Sequence, residues 1–285
     1  MRIATLLLLS LAAPAGIPGQ RAAAPTRGTV KAPDGVDIAY EVAGSGAPAL
    51  VFVHGWSCDR SYWRAQFEHF ARSHRALAID LGGHGESGLG REDWTIAAFG
   101  ADVCAVLEAL AVEDAVLVGH SMGGPVILEA ARLAPERVAA LVPVDTLFDV
   151  GHAFGPAERE AFLAPFRADF PAAADRFARR MFTARSDPEL VERIAADISA
   201  APPDVAISAM ESLFAYDGGA ALAALEVPLR LLNADSYPTN LEAARRRKPD
   251  VELAVMPRSG HFLMAEDPAE FNRLLARAVQ ELTGG

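Results

Sequence analysis

Gly119-His120-Ser121-Met122-Gly123 is a G-x-S-x-G pentapeptide that follows four apolar residues, 115–118, and precedes a helical pattern. Between a buried strand and a helix, such a serine sits on a sharp turn that lifts its hydroxyl above the sheet, and glycines let the crowded backbone pass. The helix N-terminus behind it favours developing negative charge. Ser121 is therefore a candidate nucleophile. A hydroxyl attacks poorly without a base, and seven histidines compete for that role. His69 and His74 fall on or after a surface helix, and His120 should point away from its neighbour at the turn. His261, in Ser259-Gly260-His261-Phe262 after the last strand, lies on the same C-terminal sheet edge as Ser121. Open α/β sheets place their sites on that edge. His261 is the preferred base, with His54 and His84 as alternatives.

A carboxylate must orient the imidazole and stabilise its cation. Asp235, just past the strand 227–232, completes the order Ser, Asp, His. Asp145 ends the preceding strand on the same edge and is the alternative acid. An oxyanion needs backbone donors. The amide of Met122, directly after the serine, and that of Trp56, in His54-Gly55-Trp56, are the expected pair. His54, Gly55, Phe148 and Phe262 are expected to bind substrate. The chemistry these groups would perform is acyl transfer from a carboxylic ester to the serine, then hydrolysis.

The elements that must position them alternate along the chain. Segments 29–31 and 36–42 flank the turn sequence Ala32-Pro33-Asp34-Gly35 and predict a hairpin. Apolar runs at 49–53, 75–80, 115–118 and 138–144 predict strands, and helical spacing at 61–70, 95–110 and 122–133 fills the intervals. Buried strands alternating with helices imply a parallel sheet covered on both faces. After Asp145 the pattern is helical to Leu225, punctuated by prolines. Strands at 227–232 and 251–256 and helices at 241–247 and 268–282 follow. The expected organisation is a core of residues 25–145 and 226–285 with a helical cap at 146–225.

The chain has 285 residues, 51% of them apolar, enough for one well-packed core, and a net charge of −11. That charge argues against nucleic acid, whose binding rests on Lys and Arg neutralising phosphates. Residues 1–24 carry Arg2, an apolar run at 3–13, helix-breaking prolines and Ala22-Ala23-Ala24. This is the pattern of a cleaved export signal, which predicts a periplasmic or extracellular protein. The run is too short to span a bilayer, so no stable membrane insertion of the mature chain is expected. Cys58 and Cys104 have no metal-ligand spacing and read as unpaired thiols.

His54-Gly55-Trp56, the segment from Asp80 to Ser87, the glycine-flanked Ser121 and Gly260-His261-Phe262 occur in an order that resembles the α/β-hydrolase superfamily, in its capped serine esterase and lipase-like branch. The resemblance covers the chain from about Gly28 onward. It implies a mostly parallel eight-stranded sheet flanked by helices, a cap inserted after strand six, and chemistry without metal or cofactor. It also implies that the 80–87 segment shapes a loop, with His84 a strut. In that family a glycine-containing turn usually precedes the acid; Leu232-Asn233-Ala234-Asp235 lacks it, which keeps Asp145 in contention.

The cap holds eight of the fourteen phenylalanines, which suits an apolar cleft and a small apolar ester as substrate. Lactones and thioesters would use the same groups. A C–C bond hydrolase of the meta-cleavage type, or a ligand-binding signalling homologue with little turnover, are the alternatives.

Overall fold

The computed structural model describes residues 24–284; of the expected export signal, all but Ala24 lies outside them. β1 (Thr26–Lys31) and β2 (Asp37–Ala43) form the opening hairpin, closed by the Ala32 amide donating to Val36 O at 2.8 Å. β3 (Ala49–Val53), β4 (Ala76–Ile79), β5 (Ala115–His120), β6 (Val138–Val144), β7 (Arg230–Ala234) and β8 (Glu252–Met256) complete one eight-stranded sheet. Its order is β1-β2-β4-β3-β5-β6-β7-β8. β2 pairs antiparallel with β1 and β4, and all pairs from β4 to β8 are parallel.

The central strands are apolar because both faces are covered: every residue of β3, β4 and β5 is buried. Each Val, Leu, Ile or Phe so buried contributes about 1.5–3 kcal/mol. The flanking helices are α1 (Arg64–Phe70), α2 (Ile96–Ala109), α3 (Gly123–Leu133), α9 (Leu241–Arg247), the short α10 (Leu263–Glu266) and α11 (Pro268–Thr283). α2 packs on α3, and α1 on α11. The Asp267 carboxylate caps α11, accepting from the Glu270 amide at 3.1 Å. Cys58 and Cys104 are both free thiols.

Between β6 and β7 stand α4 (Pro156–Ala168), α5 (Phe170–Arg179), α6 (Pro188–Ser199), α7 (Pro203–Ala215) and α8 (Gly218–Ala223). The prolines explain the punctuation in the sequence. Pro156, Pro188 and Pro203 each open a helix at a position whose amide has no partner to lose. Asp169, Asp187 and Asp217 cap α5, α6 and α8 with their side chains. These helices lie over the loops that follow the parallel strands. Trp94 and Ile96 donate their amides to Ser208 and Ser212 of α7 at 3.1 and 2.9 Å, and Tyr216 donates to Glu129 of α3 at 3.1 Å.

One strand is displaced from its expected position. β7 runs from Arg230 to Ala234 rather than over 227–232. Pro228 has no amide for a ladder and serves only as acceptor, taking the Leu141 amide at 3.0 Å. The displacement carries Asn233 and Ala234 into the sheet, with consequences for the site.

Candidate active site

Ser121 has φ 53°, a left-handed conformation that costs a residue with a side chain roughly 1–2 kcal/mol. The turn is held by its neighbours. The Ser121 amide donates to Val144 O and the Gly124 amide to Ser121 O, both at 2.9 Å. Two glycines make the close passage possible: a Cβ on Gly119 would lie 2.2 Å from Gly123 O, and one on Gly123 2.6 Å from Val53 O. α3 begins immediately after Met122. Ser121 itself is half-buried, and among the described residues its hydroxyl makes no hydrogen bond to His261. Catalytic hydrogen bonds are often loose until substrate is bound.

His261 is fixed on three sides. Its Nδ1 lies 2.6 Å from Asp145 Oδ2, its amide donates to Met181 O of the cap at 2.8 Å, and its carbonyl accepts from His120 Nε2 at 2.9 Å. Because a buried carboxylate accepts at Nδ1, the proton sits there and Nε2 keeps its lone pair. Asp145 is fully buried, and its other oxygen accepts the Ala234 amide at 2.7 Å, so both oxygens are satisfied. Like Ser121, Asp145 adopts a positive φ, 47°, a conformation that Asp tolerates better than most residues.

The expected acid, Asp235, is not at this imidazole. It is exposed on the far side of β7, where its Oδ1 accepts the Arg258 amide at 2.8 Å. The displacement of β7 is the reason. With the strand extended to Ala234, the amide of Ala234 reaches Asp145 and Asp235 emerges beyond the sheet. The alternative acid, Asp145, holds the position, and the chain order Ser, Asp, His is the same for either carboxylate.

Asn233 is a positioning residue that the sequence pattern did not single out. Its Oδ1 accepts the Thr146 amide at 3.2 Å, and its Nδ2 donates to Thr146 O at 3.0 Å and Thr239 Oγ1 at 2.9 Å. It clamps the backbone directly after Asp145. The available signal was a polar residue ending an apolar run, which reads equally well as a turn.

The two expected oxyanion donors, the Trp56 and Met122 amides, lie on backbone segments next to Ser121. Among the described residues, neither the Trp56 amide nor the Met122 amide donates to a protein acceptor. Both belong to backbone beside Ser121: a Cβ on Gly55 would stand 3.1 Å from the Ser121 Cβ. The Trp56 indole does something further. Its Nε1–H donates to Ala206 O of α7 at 2.6 Å, and Phe166, Phe170 and Phe177 meet its ring edge-on at 5.7, 6.1 and 5.7 Å. The loop carrying Trp56 and the cap are thereby packed together.

Two residues expected to bind substrate do not line open space. His54 is fully buried; its Nδ1–H donates to Gly55 O at 2.8 Å and its Nε2 accepts the Leu81 amide at 3.0 Å. It is a strut that holds the loop carrying Trp56. Phe262 is also buried, stacked on Phe182 at 5.2 Å and tilted against His120 at 5.2 Å. Phe148 is half-buried and packs on Tyr237 at 5.8 Å. His84 likewise is a buried strut, its Nδ1 donating to Gly82 O at 2.9 Å.

Burial holds His54, His84 and His120 neutral: His54 is pushed down to about 4, His84 to about 3, and His120 well below its usual range. In the unfolded chain these rings protonate near pH 6.5. Below that pH the unfolded state binds more protons than the folded one, so stability falls with pH. Each ring costs about 1.4 kcal/mol per pH unit between pH 6.5 and its folded value. We expect the urea midpoint to drop steeply from pH 6.5 to 4, and to drop less steeply in His84→Gln. An equal slope in both proteins would show that these rings do not drive the loss.

Among the described residues, no group of three or more His, Cys, Asp or Glu side chains is placed to hold a metal ion. Phe162, Phe166 and Phe177 of the cap, with Tyr237 from the segment after β7, line a groove of about 420 Å³.

Comparison with known proteins agrees with this architecture. A family model described as the alpha/beta hydrolase family matches residues 50–274. The chain is 29% identical over 274 residues to RutD of Azorhizobium caulinodans, a protein named for carbamate hydrolysis, covering 84% of this chain and 93% of that one. It is 28% identical over 259 residues to a dihydrolipoyllysine-residue acetyltransferase component of the acetoin cleaving system of Pseudomonas putida. That match covers 82% of this chain but only 64% of the relative. A thermophilic esterase from Thermogutta terrifontis superposes with a TM-score of 0.79 at 26% identity, over 90% of this chain and 99% of that one. With its sheet order, its turn at Ser121 and a family match over most of its length, the chain belongs to the alpha/beta hydrolase family and is one of its enzymes.

Proposed function

We infer that this enzyme hydrolyses carboxylic esters through an acyl-enzyme, with Ser121 as nucleophile, His261 as base and Asp145 as the acid that orients it. The observation that carries this reading is the 2.6 Å contact between His261 Nδ1 and the buried Asp145, beside a serine on a strained turn. Asp145 keeps Nε2 as the acceptor and stabilises the imidazolium once formed. The Ser121 oxygen bonds to the ester carbonyl carbon as its proton passes to Nε2. The resulting oxyanion is met by the Trp56 and Met122 amides, which have no other partner among the described residues and sit where the helix dipole of α3 favours negative charge. The imidazolium returns the proton to the departing alcohol, leaving an ester on Ser121. Water, deprotonated by His261, then releases the acid by the same steps in reverse. The names of the carbamate hydrolase and the esterase relatives support hydrolysis of a carbonyl compound with a heteroatom leaving group.

The test is labelling with a fluorophosphonate, read by intact mass and peptide mapping, together with turnover of p-nitrophenyl esters of rising chain length. A single adduct on Ser121, absent in His261→Ala, with measurable ester turnover is the expected result. A folded protein that neither labels nor turns over any ester would overturn the reading.

A further inference from the structure

We propose that the preferred ester carries a second, anionic group, a carboxylate at the far end of its acyl chain, which Arg176 and Arg180 of the cap receive. This rests on the reading of Ser121 given above and adds the class of substrate.

The groove of about 420 Å³ has aromatic walls, Phe162, Phe166, Phe177 and Tyr237, and its other polar lining groups are the guanidinium groups of Arg176 and Arg180. Phe166 and Phe177 are the same rings that meet the Trp56 indole, so one wall of the groove is shared with the loop that supplies an oxyanion amide. α5 carries Phe177 and Arg176, Arg180 directly follows its last residue, and the next residue, Met181, accepts the His261 amide at its carbonyl at 2.8 Å. In this proposal the acyl chain runs from Ser121 past the Trp56 ring, on which Phe166 and Phe177 pack, to the arginines at the rim of the groove.

Among the cap arginines with no acidic partner in the described residues, which also include Arg159, Arg185 and Arg193, these two are the ones that line the groove. The neighbouring cap arginines are already paired: Arg179 with Asp175 and Glu192, Arg167 with Glu160 and Glu211. Among the described residues Arg176 and Arg180 have no acidic partner, and the contact they make with each other is Arg180 Nε donating to Arg176 O at 3.2 Å. Two unpaired cations beside an aromatic groove, in a chain of net charge −11, favour an anion locally against the field of the rest of the molecule. Guanidinium forks match a carboxylate in both shape and charge.

The experiment compares mono(p-nitrophenyl) esters of dicarboxylic acids, from succinate to suberate, with the same compounds methylated at the free carboxylate. Release of p-nitrophenolate reads the same bond in each pair. At the best chain length, kcat/KM for the acid should exceed that for its methyl ester by about 10- to 100-fold, as expected for charge-assisted hydrogen bonds. The ratio should collapse toward one in Arg176→Gln/Arg180→Gln, survive largely in the double lysine variant, and fall with added salt. A ratio at or below one at every length, or a ratio that the glutamine variant leaves unchanged, would overturn the proposal. p-Nitrophenyl acetate separates the two levels of inference. Acetate turnover without charge preference removes the carboxylate site alone, whereas no turnover of any ester removes the reading of Ser121 and this proposal with it.

Discussion

Ser121→Ala should lower kcat/KM for a p-nitrophenyl ester by about 10⁴- to 10⁶-fold, leaving only the acceleration that free amides and binding can supply without a nucleophile. The protein should remain folded. The hydroxyl makes no hydrogen bond among the described residues, so its removal leaves no buried partner unsatisfied, and alanine meets the same left-handed backbone at 53° that serine does. Circular dichroism and a urea midpoint close to the parent would establish that the loss is chemical. Turnover within tenfold of the parent in such a folded variant would remove Ser121 from the reaction.

The second large effect separates the two carboxylates. Asp145→Asn should cost about 10⁴-fold in kcat. Asparagine can still accept the Ala234 amide through its oxygen, and it tolerates a positive φ, so the backbone has no reason to move. Its NH₂ group, however, would face His261 Nδ1 and force the ring proton onto Nε2. A base with that nitrogen occupied cannot take the proton of Ser121, and the imidazolium loses its counter-charge. Asp235→Asn should stay within about twofold, because Asp235 is exposed and serves the turn at Arg258. Kinetics of the two purified variants on one ester decide the matter, and the reverse ranking would sink the assignment.

Much of the frame was legible before any coordinates. Ala49–Val53 and Val138–Val144 are unbroken apolar runs, and each is a strand over those same residues. The pentapeptide around Ser121 has few conformations open to it, since its glycines are there to avoid backbone collisions. Where the reading failed, composition had no grip. Val227 and Leu229 look like strand, but Pro228 between them cannot ladder, and the true strand includes Arg230 and Asn233, which break the apolar pattern. That offset leaves Asp145, rather than Asp235, against the His261 imidazole. His54 and Phe262 stand in the correct loops, yet which way a ring points is set by packing: Leu81 and Gly55 capture one, Phe182 and His120 the other. Arg176 and Arg180 share their helical spacing with any solvated face. Only the location of neighbouring acids distinguishes them from Arg179, and that is a three-dimensional fact.

The clamp between Thr146 and Asn233 bears on how such a molecule changes over time. The chain leaves the sheet just before Thr146 and returns through β7, near whose end Asn233 stands. The two hydrogen bonds between these residues, with the Ala234 amide on Asp145, hold the departing chain against the returning strand at the neck of the insertion. Everything between is a loop whose ends are already held together. Closing a longer or shorter loop across a fixed neck changes the entropy only logarithmically. The helices can therefore be lengthened, trimmed or replaced while the carboxylate at the neck stays in place. Next to Ser121 a new cap would have to rebuild two contacts, an acceptor for the His261 amide and a seat for the Trp56 indole. Appetite for new substrates can thus drift while the hydrolytic step itself is conserved.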